Sequence, residues 1–318
     1  MNLSKDVSQA VMLLLATFVC VNAQGIQVKG AKDKTAIPPA CESIVPANLE
    51  NNLDVKALVK ESTCKGSGDM ISDYSYILKS LKREAKKNQI KEESIVYEVF
   101  MPVLPNGAHG RGILLVTSRD GVPVPPQELD KERVRAGERL EKEEKKVTSI
   151  PTSQVPSNPV GMLPLGSYGR FAFGEGKAVV DVRTFLTNCE LTFMRREQTE
   201  GREMLVFTFT PQPNAQFKDN ERYIAQLKGE IRIDVQDRIV TRLVAWPQTA
   251  TPANEKVPAV SYEMVRLPTG VWLPFETRIN GTDYPGLFDR IAFYSTLTFS
   301  EYKRFATEVK DPKMETPP

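Results

Sequence analysis

Alternation of apolar and polar residues is the dominant pattern of this chain from about residue 73 onward. A period of two places successive side chains on opposite faces of a β-strand, so each run predicts a strand with one buried face. Such runs lie at 73–81, 94–100, 112–117, 185–195, 204–210, 229–234, 240–246, 260–267, 271–279 and 291–302. The first run continues into a charged stretch, which we expect to extend the strand to a hairpin tip near Asn88. The pattern therefore predicts a mainly β protein.

Short turn sequences separate most of these predicted strands. Arg119-Asp120-Gly121, Glu200-Gly201, Gln236-Asp237 and Pro268-Thr269-Gly270 each join two runs. Such short connections indicate antiparallel pairing, because a parallel pair needs a long crossover. A sheet of about eight to ten antiparallel strands must curl, and a helix set against one side would complete the burial of its apolar face.

Three other segments carry helical spacing. Residues 46–60 predict a short helix, and residues 214–227 contain a brief apolar stripe of the same period. Residues 126–147 are dense in Glu, Lys and Arg and have only a thin apolar stripe, made by Leu129, Ala136, Leu140 and Val147. This segment predicts a surface helix whose charges form a solvated face rather than a nucleic-acid or membrane patch. Residues 150–177 are rich in Pro and Gly and predict a long loop.

The N-terminus carries an apolar run at residues 11–21. This run is shorter than the roughly 20 residues that span a bilayer, and Ala23 suits a signal peptidase site. We therefore expect residues 1–23 to be a signal peptide, cleaved near Ala23, and the chain to be periplasmic or otherwise secreted. Two alternatives remain open, a buried N-terminal helix and lipidation at Cys20. No later run is long enough to predict a transmembrane segment in the mature chain.

Charge and cysteine content narrow the range of partners. The chain has 42 Lys and Arg residues against 40 Asp and Glu residues, and because these are interleaved they predict no nucleic-acid partner. Export permits a disulfide, for which Cys41 and Cys64 are the candidates, and closing that loop would contribute about 3 kcal/mol. Cys189 lies in an apolar run and is predicted to be a buried free thiol. With His109 as the only histidine, we expect no metal site.

Catalytic motifs are not evident in this sequence. It shows no serine elbow, zinc-binding helix, phosphate loop or dinucleotide fingerprint. Its paired acidic residues fall on the charged segment 126–147, where general acid–base chemistry would lack a dry pocket. His109 lies in a turn sequence, which favours an exposed loop histidine. The sequence therefore predicts no enzymatic activity and no cofactor.

Two runs in the C-terminal half resemble LolA-like periplasmic proteins, the group that includes lipoprotein-sorting carriers and receptors. The first run is 227–234 together with 239–243, and the second is 270–279. The order of predicted elements over residues 73–303 is similar too. The resemblance implies an α+β, mainly β fold, with a curved antiparallel sheet or incomplete β-barrel closed on its concave side by helices. In that group the apolar hollow receives the acyl chains of lipoproteins or other lipids.

The predicted elements give a domain organisation. It consists of a signal peptide at 1–23, an N-terminal arm and short helix at 24–66, a LolA-like β-rich domain at 67–306 that contains helix 126–147 and loop 150–177, and a polar tail at 307–318.

The leading hypothesis is a protein that carries or shields a lipid or a lipid-modified protein by apolar burial. An acyl-binding hollow needs inward apolar side chains that do not fill the core completely. The candidates for its lining are Phe207, Phe209, Leu243, Trp246, Trp272, Phe275, Phe293 and Phe299. The alternative is an envelope scaffold or protein-interaction module with the same fold and no lipid, in which segments 126–147 and 150–177 contact an envelope protein partner.

Overall fold

The computed structural model describes residues 54–65, 70–86, 89–100, 113–148, 170–173, 178–251, 257–282, 287 and 293–304. Three α-helices lie in this part of the chain, α1 (Val55–Lys65), α2 (Pro126–Thr148) and α3 (Val182–Asn188), with 3-10 helices at Met70–Asp73 and Arg222–Gln226. The strands are β1 (Tyr74–Lys86), β2 (Gln89–Phe100), β3 (Ile113–Arg119), β4 (Val122–Pro123), β5 (Arg170–Phe173), β6 (Ala178–Asp181), β7 (Cys189–Thr199), β8 (Arg202–Pro211), β9 (Leu227–Asp234), β10 (Val240–Pro247), β11 (Val260–Arg266), β12 (Trp272–Asn280) and β13 (Phe293–Arg304).

Eleven of these strands form one antiparallel sheet. Their order is β4-β3-β2-β1-β13-β12-β11-β10-β9-β8-β7, while β5 and β6 form a separate hairpin. The sheet is curved, and among the described strands its two edges, β4 and β7, do not pair to close a barrel. The predicted fold class, a mainly β protein built on a curved antiparallel sheet, is confirmed. The sheet has one strand more than the upper end of the predicted range.

Cross-strand pairing defines two faces of this sheet. One row of directly paired residues runs through Phe207, Ile231, Leu243, Tyr262, Thr277, Leu297 and Ser80. We call the face that carries this row the inner face. Side chains next to the row point the opposite way, to the outer face, and they include Arg232, Arg242, Glu263 and Glu276.

Short segments outside the large sheet cover the inner face. Leu58 of α1, Phe171 of β5, Val180 of β6 and Phe185 of α3 belong to the same buried cluster as the inner-face residue Phe207. We call α1, the β5–β6 hairpin and α3 the cover. Because Leu58 lies in this cluster, the short N-terminal helix is part of the core of the β-rich domain. The predicted closure by helices is thus shared between helices and a small hairpin.

Helix α2 packs elsewhere. It contacts β3, and Ala136, the one buried residue among its described side chains, lies outside the main cluster. Most of its other described side chains are exposed, including Val134 at 64%. The prediction of a surface helix over residues 126–147 is confirmed.

Two of the predicted turn sequences form tight hairpin turns that set the register of the strands they join. Asp120 and Gly121 have φ values of 49° and 79°, and Glu200 and Gly201 have values of 51° and 75°. Positive φ at both central residues is typical of a type I′ turn, whose twist matches that of the flanking strands. These turns fix the pairing of β3 with β4 and of β7 with β8.

Several predicted boundaries differ from the structure. The predicted strand 185–195 begins with a helix, because Asp181 caps α3 by accepting a hydrogen bond from the Arg183 backbone N–H. The predicted loop 150–177 contains strand β5 at 170–173, which pairs with β6. The predicted helical stripe in 214–227 is limited to the 3-10 helix at 222–226.

Helix α1 also differs from its prediction. It begins at Val55, where Asp54 accepts a hydrogen bond from Ala57 N at 2.9 Å, and it continues to Lys65 instead of ending at residue 60. Residues 46–53 of the predicted helix lie outside the described residues.

Several predictions fall outside the described part of the chain. These are the signal peptide at 1–23, the arm as far as residue 53, Cys41, His109, the tail at 307–318, and residues 150–169 and 174–177 of the predicted loop. The Cys41–Cys64 disulfide therefore stays a prediction. Within the described residues, no helix combines the length and apolar character needed to span a membrane.

Candidate functional site

Large apolar side chains are concentrated on the inner face between β8 and β10. Phe207, Leu243 and Phe209 are almost completely buried there. Gly229 lies opposite Phe209 on β9, and a Cβ at this position would be 2.6 Å from Phe209 Cε1 and would clash with the Val244 carbonyl oxygen. Glycine at this position therefore allows the Phe209 ring to lie close to the backbone of β9.

Aromatic rings of the cover pack directly on this face. The Phe171 ring on β5 has its centroid 5.8 Å from that of Tyr262 and 5.5 Å from that of Phe299. The Phe185 ring on α3 is 5.4 Å from Phe209, with an interplanar angle of 76°. These separations are those of attractive aromatic pairs. Aromatic rings of the cover and of the sheet therefore pack together in one buried cluster, which we call the aromatic interface. An apolar ligand of the inner face would have to enter this interface.

Four of the eight predicted lining residues lie together at this interface. Phe207, Phe209, Leu243 and Phe299 are at most 1% exposed, and all four belong to the main buried cluster. Phe207 and Phe209 lie two positions apart on β8 and therefore face the same side of the sheet.

The other four predicted lining residues have different positions. Trp272 is 8% exposed, and its indole N–H donates to Asp237 Oδ2 at 2.8 Å. Phe275 is 43% exposed at a β-bulge, where the pairing of β11 with β12 shifts by one residue. Trp246 follows the inner-face residue Ala245, so it points to the outer face, and it is half-buried. Phe293 is described only as a strand residue opposite Glu84.

A buried ion network holds Trp272 at one end of the sheet. Arg202 donates to both carboxylate oxygens of Asp234 at 2.6 Å and to Asp237 Oδ2 at 2.6 Å. Asp234 is completely buried, and its Oδ1 also accepts from the Asp237 backbone N–H. The hydrogen bond from Arg202 to Asp234 raises the pKa of Arg202. Sequence reasoning missed this network because its partners on β8 and β9 are 32 residues apart, and its role is to fix the β9–β10 turn.

Three tyrosines form a second group that sequence reasoning missed. Tyr76 on β1, Tyr262 on β11 and Tyr302 on β13 pack against the same aromatic interface. The rings of Tyr76 and Tyr302 are 5.5 Å apart, and the Tyr76 ring is 5.7 Å from that of Phe299. Tyrosines on strands are ordinary in sequence, so nothing distinguished these three before the structure placed them together.

Cys189 is buried as predicted, and burial raises the pKa of its thiol to about 12. At neutral pH it is therefore a protonated thiol and a poor nucleophile. Within the described part of the chain, no group of three or more His, Cys, Asp and Glu side chains is arranged to hold a metal ion. The described inner face otherwise carries apolar side chains, tyrosine hydroxyls and the hydroxyls of Ser80 and Thr277.

Comparisons with known proteins give structural likenesses only. No protein-family model matches the chain, and no curated protein matches it. A LolA superfamily protein from Nitrosomonas europaea is similar at 10% identity and a TM-score of 0.31, over 80% of this chain and 94% of that one. A DUF1329 family protein from Desulfovibrio piger is similar at 9% identity and a TM-score of 0.30, with the same coverage.

A third similar structure is the MucA/MucB complex of Pseudomonas aeruginosa. It matches at 11% identity and a TM-score of 0.23, over 71% of this chain and 75% of that one. The first of these structures belongs to the LolA superfamily, the group that the runs 227–234, 239–243 and 270–279 are predicted to resemble. At these identities and TM-scores, the three structures assign no activity to this chain.

Proposed function

We propose that this chain is an exported binding protein that buries a lipid, or the acyl part of a lipid-modified protein, against the inner face of its sheet, without catalysis. The observation that supports this function is the way the apolar inner face is covered. The β5–β6 hairpin pairs only with itself among the described strands, and α1 is likewise outside the large sheet. Both can therefore separate from the inner face without breaking a strand pair of that sheet.

Binding by displacement of the cover is physically reasonable for a long acyl chain. Each CH₂ group removed from water contributes about 0.8 kcal/mol, so a chain of a dozen or more carbons can replace the contacts that Phe171 makes. Phe207, Phe209, Leu243 and Phe299 would line the bound chain. The protein would work in the periplasm or after secretion, where a soluble carrier is needed between membranes.

Lipids carried by the purified protein test the proposal directly. The chain is expressed with residues 1–23 in a Gram-negative host, purified from the periplasm without detergent, and its organic extract is examined by mass spectrometry. We expect acyl lipids in amounts close to one per chain. A protein that carries no lipid and also binds no acyl-chain fluorophore would contradict the proposal.

Two phenylalanines that were both predicted to line the site give a matched pair of variants. Phe299→Leu changes a buried ring that contacts Phe171, whereas Phe275→Leu changes a ring that is 43% exposed at the bulge. We expect Phe299→Leu to weaken binding of an acyl fluorophore several-fold and Phe275→Leu to leave it unchanged. Circular dichroism checks that both variants are folded. Equal effects of the two substitutions would place the ligand elsewhere.

A second candidate function is the protein-interaction module. The observation that favours it is the exposure of α2, where Val134 is 64% exposed and Ala136 is the buried contact. A photo-crosslinking residue in place of Val134 should then give an adduct with one defined envelope protein. If the lipid proposal alone is correct, this position gives no specific adduct.

A further inference from the structure

Two buried tyrosine hydroxyls on the inner face have no hydrogen-bond partner among the residues that the structure describes. Tyr76 is 1% exposed and Tyr262 is 0% exposed, and neither OH group meets an acceptor or donor of the described residues. Buried hydroxyls in native proteins nearly always have a partner, because an unpaired one loses its hydration without compensation. Two such groups in one cluster therefore indicate a place that a water molecule or a ligand group completes.

Ring contacts place both hydroxyls in one aromatic cluster. Tyr76 contacts Phe299 at 5.7 Å, Phe299 contacts Phe171 at 5.5 Å, and Phe171 contacts Tyr262 at 5.8 Å between centroids. Phe171 belongs to the cover, so one of the two rings that connect the tyrosines is a residue that the proposed function requires to move. A ligand that replaces Phe171 would come to lie against Tyr262 and Phe299, and Phe299 in turn contacts Tyr76.

A third tyrosine, Tyr302, has its ring 5.5 Å from that of Tyr76. Tyr302 donates to the Pro274 carbonyl oxygen at 2.5 Å. Burial raises the pKa of Tyr302 well above its usual value, and the neighbouring Tyr76 and Tyr262 raise it further. The pKa values of Tyr76 and Tyr262 are raised by burial. All three are therefore neutral hydroxyls at physiological pH, and no lysine or arginine contributes to these shifts.

We propose that the hydroxyls of Tyr76 and Tyr262 donate hydrogen bonds to an uncharged carbonyl oxygen of the bound ligand, so that the site takes acyl esters and discriminates against ionised carboxylates. This inference rests on the proposed function, because it assumes an acyl chain on the inner face. An ester carbonyl accepts hydrogen bonds and carries no charge. An ionised head group would leave water for a place where no cation compensates it, and such a transfer is unfavourable.

Two lauroyl compounds and a double variant test this inference. Displacement of an acyl fluorophore is measured at pH 8 with 1-monolauroylglycerol, a neutral ester, and with laurate, an anion of the same chain length. We expect the wild-type protein to bind the ester at least tenfold more tightly. In Tyr76→Phe/Tyr262→Phe the ester should lose about tenfold in affinity, which is about 1.4 kcal/mol, while laurate binding is unchanged.

Stability of the ligand-free protein supplies the independent control. Because neither hydroxyl has a partner, we expect the double variant to be at least as stable as the wild type in urea. Tyr223→Phe is the matched control, since its buried hydroxyl donates to the Val179 carbonyl oxygen at 2.8 Å. This control should lose stability and keep its preference for the ester.

Three results would overturn the inference. They are equal affinity of the wild type for ester and laurate, an unchanged ester affinity in the double variant, or a double variant as destabilised as Tyr223→Phe. The first two leave the proposed function intact, because acyl chains still bind and water alone would meet the hydroxyls. Failure of every acyl compound to bind would instead contradict the proposed function itself.

Discussion

The inner and outer faces of the large sheet are made by the same strands but differ in chemistry, because the outer face carries ion pairs beside a few buried apolar side chains such as Val206. On β9, Ile231 and Ile233 are fully buried inside, whereas Arg232 between them points outward and contacts Glu197 at 3.3 Å. The outer face continues with further ion pairs, such as Arg195 with Glu197 at 2.6 Å and Arg278 with Glu276 at 2.8 Å. These outer charges have partners and are partly solvated.

The difference between the faces shows where a binding function can be located. Ion pairs on an exposed surface contribute little to stability. Because their charges are already paired, they also provide few free groups for a ligand to bind. The inner face holds buried rings, an obligatory glycine and unpartnered hydroxyls, and its cover is built from segments outside the sheet. If the protein binds an apolar ligand, we therefore expect binding at the inner face, and substitutions on the two faces should differ in their effects.

The largest difference in the free energy of unfolding should be between a variant that loses an inner-face ring and one that loses an outer-face charge. Phe207→Ala removes a fully buried ring, and we expect a loss of about 3–5 kcal/mol in the free energy of unfolding. Arg232→Ala on the neighbouring strand removes a partly solvated ion pair and should cost at most about 1 kcal/mol. Urea denaturation followed by circular dichroism measures both values. Similar costs would mean that the two faces do not differ as described.

Loss of a residue from the buried ion network should destabilise the protein strongly, as loss of an inner-face ring does, although the network is charged. Asp234→Ala leaves Arg202, whose side chain is 14% exposed, without its main partner, and we expect a loss of about 3 kcal/mol. Glu203→Ala breaks the ion pair with Arg196, in which the two side chains are 34% and 39% exposed. We expect this substitution to cost less than about 1 kcal/mol in the free energy of unfolding. Thermal unfolding of the two variants gives the comparison. A small effect of Asp234→Ala would contradict the assigned role of this network.

Replacement of two glycines by alanine should change the stability of the protein in opposite directions. Gly229→Ala places a methyl group against Phe209 and the Val244 carbonyl, and we expect it to cost about 1–3 kcal/mol. Gly137 lies in α2, where a Cβ would meet nothing within 4 Å, so Gly137→Ala should stabilise the protein by up to about 1 kcal/mol through helix propensity. Midpoints of urea unfolding report both. Stabilisation by Gly229→Ala would show that the inner face is not packed as described.

The buried thiol has no effect of this kind at neutral pH and gives a defined pH dependence above pH 9. Burial raises the pKa of Cys189 from 9.0 to about 12, so between these values the unfolded chain is deprotonated while the folded chain keeps its proton. The folded state binds more protons there, and stability must fall as pH rises through this window. We expect the fall in stability from pH 9 upward to be shallower in Cys189→Ala than in the wild type. Identical slopes would indicate that the thiol is not buried.

Sequence pattern was sufficient for the regular parts of the fold. Apolar runs located β8 and β10, and alternation located β9 and its inward residues Ile231 and Ile233, because a period of two determines which side chain is buried. It failed where that period is broken. The bulge at Phe275 shifts the pairing by one residue, and the Asp181 cap begins a helix where the apolar run predicted a strand.

The candidate site was only partly predictable for a related reason. Phe207, Phe209, Leu243 and Phe299 lie on strands between β8 and β13, which follow one another along the chain. The segments that cover them include α1 and β5, and β5 lies within a predicted loop. Contacts such as Phe171 with Tyr262 and Phe299 join residues roughly 90 and 130 positions apart, counted from their numbers. Local periodicity carries no information about such pairs. The unpartnered hydroxyls depend on the same long-range packing.

Hydrogen–deuterium exchange with and without 1-monolauroylglycerol tests the central claim most directly. If an acyl chain enters between the cover and the inner face, exchange should change over residues 178–188 and in β8 to β11, while α2 exchanges as before. Exchange that is unchanged throughout, or changed in α2 alone, would contradict binding at the inner face.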